Sequence, residues 1–205
     1  MTTTAPPVTN PIKWKPVVSI VVSTLALVAF HYQDFFPDSV YDGLLLFLAI
    51  PLLIILLVFR ESPARYGFKI GDWKRGLTLT AIGCLVAAII LWITIDLPDI
   101  SAYYAPQAQD ELPYPLRNAI DLLAWEFFFR GFLLFSLAEI CGPYAILLQA
   151  VPFTLAHYGK PYIETFSCIF GGAAFGWIAW KTRSFLYPFL IHLFLSTYVV
   201  YLASR

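Results

Sequence analysis

The sequence predicts an all-α integral membrane protein, a polytopic helical bundle with about seven transmembrane helices. Two observations lead to this class: 60% of the 205 residues are hydrophobic while only 13% are charged, and the mean hydropathy is +0.74. Soluble domains carry roughly 25% charged residues, so this chain has about half of that share. The formal net charge is zero and the pI is about 6.8, so the composition gives no indication of nucleic-acid binding.

The apolar residues fall into seven segments. A membrane-spanning helix needs about 20 residues, with a range of about 17–25. The second and fifth segments are therefore short, and the fifth is short enough to end within the membrane. We expect residues 1–16, which are polar and rich in Pro and Thr, to form a disordered tail, and residues 17–205 to form a single transmembrane domain. The first segment lacks a convincing signal-peptide cleavage site, so we expect it to remain as a helix. The segments are 17–36, 43–59, 76–97, 118–138, 144–158, 163–180 and 185–203.

The charged residues concentrate in the connections, and their sign predicts the orientation. Residues 60–75 are basic, whereas residues 96–116 are acidic and rich in Pro. Along an alternating seven-helix path, the basic stretches 13–15, 60–75 and 181–183 fall on one side. The positive-inside rule assigns that side to the cytoplasm. We therefore expect a multi-pass protein of a bacterial inner membrane with a cytoplasmic N-terminus.

Ionisable side chains inside apolar segments are costly, and they mark functional sites by default. In the fourth segment Glu126 and Arg130 are four residues apart, so they share one helix face in the favoured acid-then-base order. One interpretation is an internal ion pair that makes both charges tolerable in the membrane. The other is that Arg130 keeps ionised a carboxylate that lines a site. The two interpretations are compatible.

Two histidines add acid–base chemistry to these charges. His157 lies near the end of the fifth segment, and a Gly-x-Pro sequence breaks the helix after it, so that Glu164 can fold back towards the imidazole. A carboxylate and a histidine can hold and deprotonate a water molecule. A second histidine, His192, and the hydroxyl of Ser196 can stabilise the oxyanion that forms when this water attacks an amide. The alternative for each histidine is a hydrogen-bonded contact between helices.

These residues form three motifs in the order of a known family. Trp125-Glu126-x-x-x-Arg130, Phe153-x-x-x-His157 and His192-x-x-x-Ser196 resemble the Glu-Glu-x-x-x-Arg, Phe-x-x-x-His and His-x-x-x-Asn patterns of the CAAX protease and bacteriocin-processing (CPBP) family of intramembrane endopeptidases. The resemblance covers roughly residues 60–200. It implies a helical membrane protease whose buried water is activated by a glutamate and a histidine. Such an enzyme cleaves lipidated or membrane-associated peptides, as in the processing of prenylated proteins or sorting signals.

Two positions depart from the family pattern. The resemblance makes the first glutamate the water-activating carboxylate, but Trp125 stands in its place, and Ser196 replaces the commoner Asn. Adjacent helix positions differ by about 100° in direction, so Glu126 is not a direct replacement. We expect either that Glu164 serves as the catalytic carboxylate, or that the protein is a catalytically inactive membrane scaffold or chaperone that retains the protease fold.

Small and sulfur-containing residues are interpreted as packing residues. In the sixth segment, Ser167-x-x-x-Gly171 and Gly172-x-x-x-Gly176 have a spacing that allows helices to approach closely. The three cysteines are far apart in apolar surroundings, which indicates packed thiols rather than disulfides or metal ligands. A transporter is not supported, because no inverted repeat or matching pair of broken helices is visible.

The expected catalytic set comprises six residues, and no cofactor is expected. Two histidines and a carboxylate can bind zinc, but the ligand set is loose in sequence, which favours a metal-free glutamate mechanism. The expected partners are the lipid bilayer and a membrane-associated or lipidated peptide substrate. The expected catalytic residues are Glu164, His157, His192, Ser196, Glu126 and Arg130.

Overall fold

The structure is a computed structural model that describes residues 13–109 and 114–205. The described residues are helical apart from turns and connections, with no strand among them, so the predicted fold class is confirmed. Within them, six helical runs are long and apolar enough to cross a membrane, and the fourth run, Pro115–Leu155, contains the fourth predicted segment and most of the fifth. Most of the predicted N-terminal tail lies outside the described residues, and the first helix already begins at Trp14.

We number the longer helices of the described residues α1 to α8 in chain order. The first four are α1, Trp14–Tyr32; α2, Ser39–Phe59; α3, Trp73–Thr94; and α4, Pro98–Tyr104. Helix α5 consists of Tyr114–Glu126, a π-helical turn at Phe127–Leu133, and Leu134–Cys141. The last three are α6, Ala145–Leu155; α7, Tyr162–Thr182; and α8, Leu186–Ala203.

Two glycines produce the turns on either side of α6. Gly142 has a φ of 55° directly after α5, and Gly159 has a φ of 96° between α6 and α7. L side chains rarely adopt this left-handed backbone conformation, whereas glycine does so readily. Helix α6 has 11 residues and is therefore about 16 Å long, too short to span a bilayer by itself. It folds back along α5 and ends at the candidate site, in agreement with the short fifth segment.

The centre of the bundle is filled by aromatic rings of α5. These rings bury a large apolar area inside the bundle, and each pair of packed rings adds about 0.5–1.5 kcal/mol. On α7, Gly172 permits close packing against α6, since a Cβ there would lie 2.9 Å from the Phe153 ring and 3.2 Å from the Cβ of Ala150. A Cβ at Gly171 would have no neighbouring atom within 4 Å, so only some of the small residues predicted for helix packing lie against another helix. The fully buried rings of α5 are those of Phe127, Phe128, Phe129 and Phe132.

The two ends of the bundle differ in charge. At one end Lys15 Nζ lies 2.5 Å from Glu61 Oε1, and the Asp72 amide donates to the Thr182 carbonyl at 2.9 Å, so the three basic stretches lie together. We call this the basic end; its cations are Lys13, Lys15, Arg60, Arg65, Lys69, Lys74, Arg75, Lys181 and Arg183. We call the other end the acidic end; its described carboxylates are Asp34, Asp38, Asp42, Asp96, Asp99, Asp121 and Glu164, and its described cations are Arg117, Lys160 and Arg205.

Candidate active site

A buried ion pair lies where α5 changes from α-helical to π-helical geometry. Glu126 ends the α-helical part, Arg130 lies in the π-helical turn, and both side chains are fully buried. Arg130 Nη1 is 3.2 Å from Glu126 Oε1, and the guanidinium carbon lies 3.8 Å from the centre of the Phe153 ring. The internal ion pair predicted from the sequence is therefore present. Its location is notable because π-helical turns are frequent at functional sites.

His192 of α8 extends this pair into a network of three residues. Its Nδ1 lies 2.7 Å from Glu126 Oε1, so a single carboxylate oxygen contacts both the imidazole and Arg130. Because an ionised carboxylate only accepts hydrogen bonds, Nδ1 carries the proton and Nε2 remains for another partner. A buried carboxylate in this position holds the imidazole in one orientation and one tautomer. Glu126 thus acts on the site through His192.

His157, just beyond the end of α6, contributes the second imidazole. Its Nδ1 donates to the Phe153 carbonyl at 2.8 Å, which makes Nε2 the acceptor nitrogen of the neutral ring. Burial, together with the nearby Lys160, lowers the pKa of His157 to about 3, so the ring is neutral at neutral pH. The Phe153 ring lies 4.4 Å from the His157 imidazole and 6.0 Å from that of His192. The structure therefore brings the two histidines into one site.

Both imidazoles line a polar cavity of about 370 Å³ at the acidic end. Ser196, one helical turn after His192, lines the same cavity and accepts a hydrogen bond from Asn118 Nδ2. The hydroxyl proton of Ser196 is then left to be donated to another group. The cavity therefore combines two imidazoles with hydroxyl and amide groups in one compartment. Further lining residues include Tyr103, Tyr104, Arg117, Leu122 and Lys160.

Trp125, which stands where the family pattern has a glutamate, packs into the aromatic core. Its ring centre lies 5.5 Å from that of Phe30, 4.6 Å from that of Phe47 and 5.8 Å from that of Phe129. The indole Nε1 donates to Asp121 Oδ1 at 3.2 Å. Trp125 therefore combines an apolar packing role with a polar contact that orients a carboxylate.

Asp121 is a site residue that the sequence interpretation missed. It lines the polar cavity together with His157. It precedes Trp125 by four residues, so it lies one helical turn away on the same face of α5 as the position of the family glutamate. This spacing inside an apolar segment was the signal that could have identified it. The carboxylate is packed closely against α2, where a Cβ at Gly43 would lie 3.0 Å from Asp121 Oδ1.

Glu164, the carboxylate that the sequence analysis favoured, lies in the first turn of α7. Its Oε2 accepts a hydrogen bond from the Tyr104 hydroxyl at 2.6 Å, and its Oε1 is 3.0 Å from Lys160 Nζ. It lines a second, mainly apolar cavity of about 360 Å³, whereas Asp121 lines the polar one. His157 and His192 line both cavities, so they form the wall between them. The catalytic role of Glu164 stays a prediction.

No metal centre is evident in the part of the chain that the structure describes. Among residues 13–109 and 114–205, no group of three or more His, Cys, Asp and Glu side chains is arranged to hold a metal ion. At the Glu126–His192 pair, the neighbouring group is the cationic guanidinium of Arg130, which repels a second cation. The arrangement is suited to acid–base chemistry and to the stabilisation of a developing anion.

One known family matches the segment that carries the site. No curated protein and no solved structure gives a significant match to the chain. Residues 118–198 match the family described as Type II CAAX prenyl endopeptidase Rce1-like. This segment contains all three motifs, from Trp125 to Ser196. Over residues 118–198 the chain is therefore similar to the type II CAAX prenyl endopeptidases, and the family resemblance predicted from its motifs is confirmed.

Proposed function

We propose that this protein is an intramembrane endopeptidase that cleaves a membrane-associated or lipidated peptide by means of a water molecule activated in the polar cavity. The observation that carries the proposal is the convergence of His157, His192 and Asp121 on this cavity. The buried Glu126–Arg130 pair behind His192 supports it, since such a network holds an imidazole in a defined orientation. The family match over residues 118–198 favours the same reaction class.

His157 and Asp121 have different roles in the activation of water. A general base works best when its pKa is near the operating pH, and the pKa of His157, lowered to about 3, makes this imidazole a weak base. We therefore assign to His157 Nε2 the orientation of the water and to Asp121 the acceptance of its proton. The water oxygen bonds to the carbonyl carbon of the peptide. The proton held by Asp121 then passes to the leaving nitrogen as the carbon–nitrogen bond breaks.

His192 and Ser196 are suited to stabilise the oxyanion of the tetrahedral intermediate. In this step His192 acts in its protonated form: Nδ1–H donates to Glu126, and Nε2–H donates to the developing negative charge. The Ser196 hydroxyl donates from the next turn of α8, held in place by Asn118. Loss of one such donor typically lowers the rate about 10²–10³-fold. Arg130 contributes indirectly, through its ion pair with Glu126.

The apolar cavity next to the histidines suits the apolar part of a substrate. Apart from the two imidazoles and Glu164, its surface comes largely from apolar side chains of α3, α7 and α8, among them Leu91, Phe175 and Leu195. A peptide bond at the wall between the cavities would place an apolar side chain or lipid chain on one side and the polar backbone on the other. This arrangement favours a membrane-associated or lipidated peptide over a soluble one.

Trp125 favours a second candidate function. A large aromatic ring occupies the position of the family's first glutamate, and its packing against Phe30, Phe47 and Phe129 stabilises the fold independently of any reaction. This observation supports a catalytically inactive membrane scaffold or chaperone. The two candidates differ in one measurable property, the appearance of new peptide termini.

The experiment compares the peptide termini of membrane proteins in cells that carry the wild-type chain, no chain, His157→Ala or His192→Ala. Mass spectrometry of enriched N- and C-terminal peptides identifies cleavage products. For a protease, we expect a set of termini that requires the wild-type chain and disappears in both variants at equal expression. Identical termini in all four samples would exclude the protease and leave the scaffold. Arg65→Ala, a change at the exposed basic end, serves as the control variant that retains cleavage.

A further inference from the structure

The charges of this protein are distributed very unevenly between its two ends. Nine of its thirteen Lys and Arg residues lie at the basic end, where the carboxylates are Glu61, Asp72 and Glu139. At the acidic end the described residues include three cations and seven carboxylates. Arg130, the remaining cation, is buried inside the bundle. The excess of Lys and Arg at the basic end is thus matched by an excess of carboxylates at the acidic end.

This asymmetry has a direct consequence for orientation. The positive-inside rule counts Lys and Arg in short connections near the ends of membrane helices, where carboxylates contribute little. The basic end meets this condition, because its cations lie in the short connections α2–α3 and α7–α8 and at the start of α1. The rule therefore assigns the basic end to the cytoplasm and the acidic end to the opposite side of the membrane.

The polar cavity belongs to the acidic end. It is lined there by Arg117 and Asn118 from the start of α5, by Lys160 from the α6–α7 turn and by Ser196 from the late part of α8. Asp121 precedes the end of α5 at Cys141 by 20 residues, which corresponds to about 30 Å along a helix, roughly the thickness of the hydrocarbon core. A peptide on the basic side therefore lies a membrane thickness away from Asp121. His192, which lies in the second turn of α8 after Leu186, is nearer to that end but is enclosed in the bundle with 12% of its side chain exposed.

The bundle is also closed between the cavity and the basic end. Phe127, Phe128 and Phe132 of α5 are completely buried, and the Phe127 ring packs 5.3 Å from that of Phe185 at the turn before α8. Protein interiors packed in this way leave no path for a peptide. Access to the histidines is from the acidic end or from the lipid beside it.

We propose that the catalytic cavity opens on the extracytoplasmic side and that the substrate is the translocated part of a membrane-anchored protein. This inference rests on the proposed endopeptidase function, and it narrows the substrate class. A protein lipidated at the cytoplasmic leaflet would expose its scissile bond at the basic end, where no catalytic group lies. A translocated sorting signal next to an apolar anchor presents its peptide bond at the acidic end, beside the apolar cavity.

The test measures the orientation in intact bacterial cells that express the full chain. Tyr158→Cys places a thiol at the acidic end on a side chain that is 89% exposed, and Lys69→Cys places a matched thiol at the exposed basic end. A membrane-impermeant maleimide is added to intact cells and, in parallel, to permeabilised cells. The unmodified chain controls for the natural cysteines, of which Cys168 is buried. We expect at least tenfold more labelling of the Tyr158→Cys chain than of the Lys69→Cys chain in intact cells, and equal labelling after permeabilisation.

Three results would overturn the proposal. They are stronger labelling of the Lys69→Cys chain in intact cells, equal labelling of the two chains in intact cells, and protection of both thiols until permeabilisation. A second measurement covers the case in which a cysteine variant does not accumulate. Alkaline phosphatase folds only outside the cytoplasm, so its fusion after Arg205, at the acidic end, should be active. A fluorescent protein that folds only in the cytoplasm, fused at the same position, should give no fluorescence. Neither measurement depends on proteolysis. A wrong orientation is therefore distinguishable from a wrong assignment as a protease, which the termini experiment tests separately.

Discussion

The stability effect of Arg130→Ala is the sharpest prediction for the buried network. Arg130 and Glu126 are both fully buried, with 3.2 Å between Nη1 and Oε1. Removal of the guanidinium leaves the carboxylate in a low-dielectric environment, where His192 Nδ1 still lies 2.7 Å from Glu126 Oε1. We therefore expect the variant to lose stability and abundance in addition to any activity.

The magnitude follows from two contributions and one compensation. Removal of one partner of a buried pair typically costs about 3–5 kcal/mol. Loss of the cation–π contact with Phe153, at 3.8 Å, adds up to about 2 kcal/mol for a desolvated pair. The hydrogen bond from His192 Nδ1 to Glu126, at 2.7 Å, offsets part of this loss. We expect a net loss of about 3–5 kcal/mol, which corresponds to a decrease in Tm of about 10 °C for a chain of this size.

The chain contains a matched control for this experiment. Arg65 and Glu61 form another ion pair four residues apart, at 2.7 Å, but the Arg65 side chain is 63% exposed. Arg65→Ala should cost at most about 1 kcal/mol, because water screens an exposed pair. Tm is measured by thermal unfolding of the purified protein in detergent. In addition, the double variant Glu126→Gln/Arg130→Met should recover stability relative to Arg130→Ala, because no uncompensated charge remains buried.

The reasoning would be refuted by a Tm for Arg130→Ala within about 2 °C of that of Arg65→Ala, since about 1 kcal/mol corresponds to 2–4 °C. Such a result would mean that water or neighbouring groups solvate Glu126 as well as the guanidinium does. A double variant less stable than Arg130→Ala would also contradict the argument. It would show that the charges themselves, rather than their pairing, support the fold.

Three further predictions follow from the site and its packing. Asp121→Asn should lower cleavage by about 10²–10⁴-fold while Glu164→Gln retains most of it; the reverse result would assign the general base to Glu164. Burial lowers the pKa of His157 from 6.5 to about 3, so below pH 6.5 the unfolded chain binds a proton that the folded chain does not bind. The free energy of unfolding should therefore fall by about 2 kcal/mol between pH 6.5 and pH 5 because of this residue. Thermal unfolding at both pH values should show that His157→Gln loses less stability than the wild-type chain between pH 6.5 and pH 5. An equal loss in the two proteins would contradict a neutral buried imidazole. Gly172→Ala should lower stability by about 1–3 kcal/mol through its clash with Phe153, whereas Gly171→Ala, in open space, should be neutral or slightly stabilising; equal melting temperatures for the two variants would disprove the packing argument.

Much of the candidate site could be predicted from residue types and spacing alone. Glu126 and Arg130 share a helix face because of the helical repeat, and their contact requires no information from the rest of the chain. His157 and His192 stood out because polar side chains are rare in apolar segments. Asp121 was not predicted, although it has the same four-residue relation to Trp125, because Glu164 follows the helix break after His157 and was therefore the expected replacement for the missing family glutamate.

The partners of these residues could not be predicted. Glu126 contacts His192 across 66 residues of sequence, and Glu164 is held by Tyr104 across 60. Contacts between membrane helices depend on close packing of side chains that are all similarly apolar, and lipid is as apolar as the helix surface itself. A soluble helix shows which face is buried by its polar and apolar stripes. Here the outer and inner faces are both apolar, so the sequence carries little information about which face meets which neighbour.

The sequence by itself determined the class of this protein, the number and approximate limits of its apolar segments, its three motifs and the grouping of its basic stretches at one end. These properties are local or additive: transfer to lipid depends on composition and length, and charge accumulates connection by connection. The tertiary structure alone decided that α6 folds back to bring His157 beside His192, and that Trp125 packs into the core and orients Asp121. It also decided that the histidines separate a polar cavity from an apolar one. The physical reason is that these relations depend on packing between helices distant in sequence, where a few ångströms determine which carboxylate reaches the site.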